Sequence, residues 1–324
     1  MPRARELGLG IGALPTGPQN AITDVPGVAV GHTTLIDGTD IRTGVTAVVP
    51  EMTRALPAGL AVGNGYGKLV GATQLAELGE IETPILLTAT LSTFRVADAL
   101  VGWMLATRPA DSINPVVAET NDGHLSDIRA RPITEAHVWA ALDSASAGLP
   151  AEGSAGAGTG TRCMGFKGGI GTSSRALPAF GTVGVLAQTN FSGTLHIRGA
   201  AIPPDRVGVP PPAPHTGNSC ILIVATDLPL DARQLTRVAR RAVYALGRAG
   251  ADYAAGSGDY AIAFTTTGGV LPRPESDLNA VFDATMEATE EAVLNSLLMA
   301  STVTGFRGHT AHALPYDRLP ELLS

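Results

Sequence analysis

His215-Thr-Gly-Asn-Ser-Cys-Ile-Leu-Ile-Val-Ala-Thr-Asp227 joins a proline-rich segment to an almost wholly apolar run, and the change falls at one hydroxyl residue, Ser219. Upstream, Pro203, Pro204, Pro210, Pro211, Pro212 and Pro214 disfavour helix and central strand, which predicts an exposed, extended linker. Downstream, Cys220 to Thr226 has the length and the Ile/Val content of a strand buried on both faces. A cut between Asn218 and Ser219 would leave a serine at the head of that strand, with its hydroxyl beside a free α-amine. A model α-amine titrates at about 7.7–8.0, so it can act as base for its neighbouring hydroxyl. Asn-Ser is equally the turn chemistry that precedes many strands, so spacing alone leaves both readings open.

Working outward, residues 28–35 and 44–49 are strand-like runs around the hairpin chemistry of Asp37-Gly-Thr-Asp40. Residues 60–62 lead into Gly63-Asn-Gly-Tyr-Gly-Lys68, after which Leu69, Ala72, Leu75, Ala76 and Leu78 recur at helical spacing. Those glycines either offer N–H groups to an anion or permit tight packing, and packing is preferred. Residues 84–90 form a strand, 94–106 a helix, 115–122 a short strand ending in charge, and 133–146 a helix capped by Thr134. Residues 182–188 form another strand, with Asn190 just past its end, where asparagine is usually a turn residue. Leu235 to Leu246 is an amphipathic helix closed by Gly247 or Gly250. Ser257 and Asp259, two apart, share one face of the strand that follows. A long helix over 276–300 closes the core. The alternation predicts an α/β fold with mixed sheets. A buried strand starting at residue 219 could not leave its neighbours, so residues 1–324 should be one domain.

Composition narrows the class. The 324 residues are 44% hydrophobic and 16% charged, as in a globular protein with a substantial core. A net charge of −7 without a Lys/Arg-rich tract argues against nucleic acid and anionic membrane as partners. No apolar run approaches eighteen residues, and Met-Pro-Arg-Ala-Arg-Glu-Leu-Gly at the start lacks a signal-peptide core, so a soluble cytoplasmic protein acting on a small molecule or peptide is expected. Cys163 and Cys220 make neither a disulfide framework nor a metal pattern. Cys220 should face away from Ser219 as a packed thiol. His309-Thr-Ala-His312 lacks the carboxylate of a zinc motif and is taken as a surface feature. Lys167 lacks the flanking residues of a phosphate loop, so the eight glycines of 153–171 are read as allowing close backbone approach to the strand of Ser219.

Asn218-Ser219, with the run ending Ala225-Thr-Asp-Leu-Pro-Leu230, resembles the self-cleaving junction of the DmpA-like aminopeptidases, which include the β-peptidyl aminopeptidases. Four further stretches resemble the same family in consistent order: Asn20-Ala-Ile-Thr-Asp-Val-Pro-Gly27 with Val30-Gly-His32, Glu119-Thr-Asn-Asp-Gly123, Gly156-Ala-Gly-Thr-Gly160 through Phe166 to Arg175, and Gly256-Ser-Gly-Asp259. The resemblance implies a four-layer α/β/β/α sandwich, self-cleavage into associated fragments 1–218 and 219–324, a homotetramer, and no metal or organic cofactor. It implies Ser219 as nucleophile, Asn190 as oxyanion donor, Ser257 and Asp259 as a proton relay, and Glu119 as the anchor for a substrate's free ammonium. Two departures stand out. Relatives carry Glu where this chain has Asp259, and some place a tyrosine near the Glu119 motif where this chain has Asn121 and His124. Neighbouring branches hydrolyse ω-amino-acid oligomers or pantetheine-like amides. The alternative of another class is an uncleaved ligand-binding scaffold.

Overall fold

The computed structural model describes residues 1–178, 180–212, 218–268 and 277–323. Pro214, the segment His215-Thr-Gly217 and the predicted helix start at Ser276 lie outside the described residues. Strands β1 (Val28–Asp37) and β2 (Ile41–Pro50) form the expected hairpin, and β3 (Leu56–Gly65) follows. Next come β4 (Leu69–Val70), α1 (Ala72–Glu77), β5 (Glu80–Ile81), β6 (Ile85–Ala89), α2 (Thr93–Thr107), β7 (Val116–Thr120) and α3 (Glu135–Asp143). A small hairpin of β8 (Arg162–Cys163) and β9 (Phe166–Lys167) precedes the long pair β10 (Gly169–Leu177) and β11 (Gly181–Asn190). After β12 (Leu195–Ile197) and β13 (Ala200–Ile202) come β14 (Asn218–Thr226), α4 (Ala232–Ala249), β15 (Ser257–Thr265), α5 (Leu278–Leu298), and the short β16 (Val303–Thr304) and β17 (Thr310–Ala311).

Two mixed sheets result. One has the order β1-β2-β6-β7-β4, with only β6 and β7 parallel; the other has the order β10-β11-β14-β15-β3-β5, with only β14 and β15 parallel. Side chains alternate across each strand, so each sheet needs cover on both faces. In the first sheet Val45, Ala47, Leu86 and Val117 pack under Val96 and Leu100 of α2 and Val138 of α3. Val48, Ile85, Leu87 and Ala118 meet Leu186, Ile221, Ile223 and Ile262 between the sheets. On the far side Cys220, Leu222, Val224 and Ala261 lie against Leu235, Val238 and Ala242 of α4 and Val281 and Leu297 of α5. This is the four-layer α/β/β/α sandwich. All nine residues of β14 are buried, at roughly 1.5–3 kcal/mol for each large apolar side chain.

Local chemistry sets the boundaries. Asp231 caps α4 by accepting from the Gln234 N–H at 2.7 Å, while Gln234 accepts from the Asp231 N–H at 3.1 Å. The helix runs past Gly247 and stops at Gly250, whose φ of 108° suits only glycine. Three expectations are corrected. Leu69 belongs to β4, paired with β7, because that edge offers it backbone partners, and the helix shrinks to Ala72–Glu77. The third helix is shorter than 133–146; it starts after Thr134, whose hydroxyl lies 2.9 Å from His137 Nδ1. Gly63 and Gly65 form no loop before a helix but are the end of β3, which bulges at Gly63 opposite Asp259 and Tyr260.

Candidate active site

Ser219 is the second residue of β14, between Asn190 across β11 and Gly258 across β15. It is buried, and its hydroxyl donates to the carbonyl oxygen of Asn218, the bond through which the chain would be cut. The Asn218 side chain donates to Ser192 Oγ at 2.5 Å, and Ser192 in turn donates to Asp252 at 2.8 Å. Asn218 is thus held by a serine and an aspartate from two other loops. Neither Ser192 nor Asp252 is signalled by motif or spacing in the sequence.

Asn190 was expected just beyond a strand and is the last residue of β11 instead, where antiparallel pairing sets it directly beside Ser219. Its amide orientation is determined by its partners: Oδ1 accepts from the Arg162 N–H at 3.0 Å, and Nδ2 donates to the Asn121 carbonyl at 2.9 Å. Both partners lie in segments tied down from below. Lys167 is fully buried, and its ammonium donates to the carbonyls of Gly158 at 2.8 Å and Gly168 at 2.7 Å. Burial pulls Lys167 down to about 7 and pushes Asp122 up to about 7. Nearby, Gln188 bridges the two sheets through Thr120 Oγ1 at 2.8 Å and the Ala157 carbonyl at 3.0 Å. Glycine is required at 168, where a Cβ would sit 2.4 Å from the Thr189 carbonyl oxygen. The glycine-rich segment therefore does approach the site closely, and its lysine is committed to backbone carbonyls.

Ser257 and Asp259 lie on one face, as their spacing predicted, with Ser257 Oγ donating to Asp259 Oδ1 at 2.7 Å. In the parallel register Ser257 stands beside Asn218, and Asp259 beside Cys220. That face is the one turned to α4 and α5, whereas Ile221 and Ile223 point between the sheets. Alternation puts the Ser219 hydroxyl on the inter-sheet side. The pair thus neighbours the backbone nitrogen of Ser219 more directly than its hydroxyl. Burial raises Asp259 to about 6. Cys220 is fully buried on the helix side, and its thiol is pushed well above the ordinary range by burial, which makes it a packed thiol.

Glu119, near the end of β7, is 2% exposed. Its Oε1 accepts from the backbone N–H of Lys68 at 3.0 Å and from the Lys68 ammonium at 3.1 Å, while Oε2 has no hydrogen-bond partner among the described residues. Lys68 also donates to Thr90 Oγ1 at 2.8 Å. Lys68 then leads back to Gly67, where a Cβ would lie 3.2 Å from Gly258 Cα, the neighbour of Ser219. A buried carboxylate with one open oxygen is thereby carried to the β15 side of the nucleophile. Among the described residues no three of His, Cys, Asp and Glu converge as metal ligands, and no helix is long and apolar enough to cross a membrane.

Comparison with known proteins agrees with this fold. The family model for peptidase family S58 matches residues 20–311. The β-peptidyl aminopeptidase BapA of Sphingosinicella microcystinivorans is 39% identical over 99% of this chain and 92% of its own length. The crystal structure of the PH0078 protein from Pyrococcus horikoshii OT3 superposes with a TM-score of 0.93 at 41% identity, over 99% of this chain and 98% of that one. The L-aminopeptidase D-Ala-esterase/amidase of Ochrobactrum anthropi, described as a variant of the Ntn hydrolase fold, gives a TM-score of 0.89 at 35% identity, over 100% and 98% of the two chains.

Proposed function

The chain belongs to peptidase family S58 and is a serine-type aminopeptidase of the N-terminal-nucleophile class, and on that premise we propose that it matures by cutting itself between Asn218 and Ser219 and then uses Ser219 on peptides with a free N-terminus. One observation carries this: Ser219 is the second residue of a buried central strand, with its hydroxyl on the Asn218 carbonyl and Asn190 directly beside it. In maturation Ser219 Oγ bonds to the Asn218 carbonyl carbon, the carbon–nitrogen bond breaks, and the hydroxyl proton passes to the departing nitrogen. Water then hydrolyses the ester, leaving a carboxylate on Asn218 and a free α-amine on Ser219.

In turnover that α-amine takes the hydroxyl proton as Ser219 attacks the substrate carbonyl, and returns it to the leaving amine. Ser257, with Asp259 behind it, orients the α-amine. The Asn190 amide group donates to the developing oxyanion, a contact that contributes roughly 3–4 kcal/mol to transition-state stabilisation in comparable sites. Glu119 Oε2 receives the substrate ammonium, which explains the requirement for an unblocked N-terminus. The acyl group is proposed to be a β-amino acid or a small amino acid of either hand, since relatives are named for both classes. A cytoplasmic homotetramer belongs to the same proposal and is tested by light scattering of the purified protein.

The decisive experiment is an intact-mass spectrum of freshly purified protein under denaturing conditions. Two species meeting at Asn218/Ser219 are expected, with Ser219→Ala remaining one inactive chain. A wild-type chain that stays whole yet hydrolyses aminoacyl amides would overturn the self-processing mechanism.

A further inference from the structure

Glu119 does not meet the substrate alone. Lys68 directly precedes β4, and the antiparallel register that sets Leu69 opposite Ala118 brings Lys68 opposite Glu119. Its ammonium lies 3.1 Å from Glu119 Oε1 and donates to Thr90 Oγ1 at 2.8 Å. An ammonium has three N–H groups, so one is left over after these two bonds. The Lys68 side chain is 38% exposed against 3% for Glu119, so the cation is reachable from solvent while its carboxylate partner is sealed. The segment is pinned beside the nucleophile: the Tyr66 N–H donates to the Ser257 carbonyl at 3.0 Å, and a Cβ on Gly258, the residue paired with Ser219, would sit 3.0 Å from the Tyr66 carbonyl oxygen. Side chains make the same link. Tyr260 projects between the sheets, as the Ser219 hydroxyl does, and its own hydroxyl lies 3.3 Å from where a Cβ on Gly67 would be. Its phenol is raised above the ordinary value by burial first and then by the Glu119 charge.

Charge balance decides what this pair selects. With a substrate ammonium on Oε2, the charges of Lys68, Glu119 and that ammonium sum to one uncompensated positive charge beside a sealed carboxylate, which is costly. Asp122, the other acid that feels Glu119, is offset by Lys167, and Tyr260 stays a neutral phenol. A substrate that brings an anion of its own next to its ammonium cancels the excess. We propose that Lys68 is a specificity-determining residue that binds a carboxylate on the carbon carrying the substrate's amine, so that the substrates are β-aspartyl peptides, in which aspartate is joined through its side chain. This rests on the aminopeptidase reading and deepens it. Seen from its scissile bond such a residue is a β-amino acid whose α-carboxylate is free. The amine takes Glu119 Oε2 and the carboxylate takes the remaining N–H of Lys68, so that opposite charges alternate around the pair. Turnover follows the course already given: Ser219 Oγ bonds to the side-chain carbonyl carbon, the carbon–nitrogen bond breaks, the departing nitrogen takes the hydroxyl proton from the Ser219 α-amine, and water hydrolyses the ester to free aspartate.

The test uses the full, matured protein, its maturation checked by mass, and two substrates, β-aspartyl-alanine and β-homoalanyl-alanine, which differ only in a carboxylate against a methyl group. The wild type is expected to favour β-aspartyl-alanine in kcat/KM. Lys68→Met keeps the backbone N–H on Glu119 Oε1 and is expected to lower the aspartyl-to-homoalanyl ratio by about 10- to 100-fold, the range for a hydrogen bond to a charged group, mainly through KM. Lys68→Arg, which keeps the cation, is expected to retain most of the ratio. A purely structural Lys68 would depress both substrates together and leave the ratio of Lys68→Met where it was, which overturns the proposal. A wild type that prefers β-homoalanyl-alanine also overturns it, without any variant having to fold, and leaves the aminopeptidase reading standing. A wild type that hydrolyses neither substrate overturns that reading itself, and the proposal with it.

Discussion

Asn190 is held at both ends of its amide, by the Arg162 N–H and the Asn121 carbonyl, so shortening it removes a donor while β11 keeps its pairing. Asn190→Ala is predicted to lower kcat by about 10²- to 10³-fold with KM little changed, measured on matured enzyme. Asp259 makes a second prediction. Its carboxylate, raised to about 6 by burial, accepts the Ser257 hydroxyl when ionised. Above that value the carboxylate is charged and accepts the Ser257 hydroxyl at full strength; as pH falls through about 6 it gains a proton and loses part of its acceptor strength. The kcat profile should therefore drop on the acid side near 6, and Asp259→Asn should be slow at every pH and lack that limb. An acid limb that survives in Asp259→Asn would assign the titration elsewhere. The motif-bearing residues Ser219, Asn190, Ser257, Asp259 and Glu119 were legible in the sequence because the resemblance names them. Lys68, Ser192 and Asp252 were not: Lys68 meets Glu119 from 51 positions away, and Ser192 meets Asp252 from 60, so only the fold joins them.

At the scale of elements, periodicity served α4 well because its arginines and apolar residues fall on opposite faces, and even its cap at Asp231 is local chemistry. Strands fared less evenly. The run after Ser219 is unbroken and apolar, but β3 and β11 end in glycine and polar residues that look like loops, and their extra residues are recruited by pairing with β15 and β14. Leu69 shows the converse, a helical repeat overruled by a free strand edge. Close packing also explains glycines that no turn requires. A Cβ on Gly171 in β10 would sit 1.9 Å from the carbonyl oxygen of Ala292 in α5. Gly171→Ala should therefore force α5 away from the sheet and destabilise the protein by about 3 kcal/mol, at the upper end for overpacking, read from the midpoint of denaturant unfolding. Unchanged stability would mean that this helix can slide.

For the whole molecule, the order β10-β11-β14-β15-β3-β5 has a consequence for the proposed cut. Residues 219–324 would contribute the two central strands β14 and β15 and also the entire outer layer of α4 and α5, while residues 1–218 supply the flanking strands. The core under α2 and α3 lies wholly within residues 1–218, but the core between the sheets and the core under α4 and α5 draw on both pieces. The pieces are further clasped by Arg175, fully buried, which pairs with Glu287 at 2.9 Å and Glu291 at 2.8 Å of α5. Matured protein should elute as one native species and separate only under denaturing conditions. Before the cut, folding is a unimolecular event. Afterwards the same architecture must be regained by two chains meeting in solution, each with long unpaired strand edges open to aggregation. Diluted from denaturant, intact Ser219→Ala should recover its fold at any concentration, whereas wild-type fragments should recover poorly and only when concentrated. Self-cleavage would then act as a one-way gate: the peptide bond is present when it is needed to guide assembly, and once it is gone the enzyme persists by not coming apart.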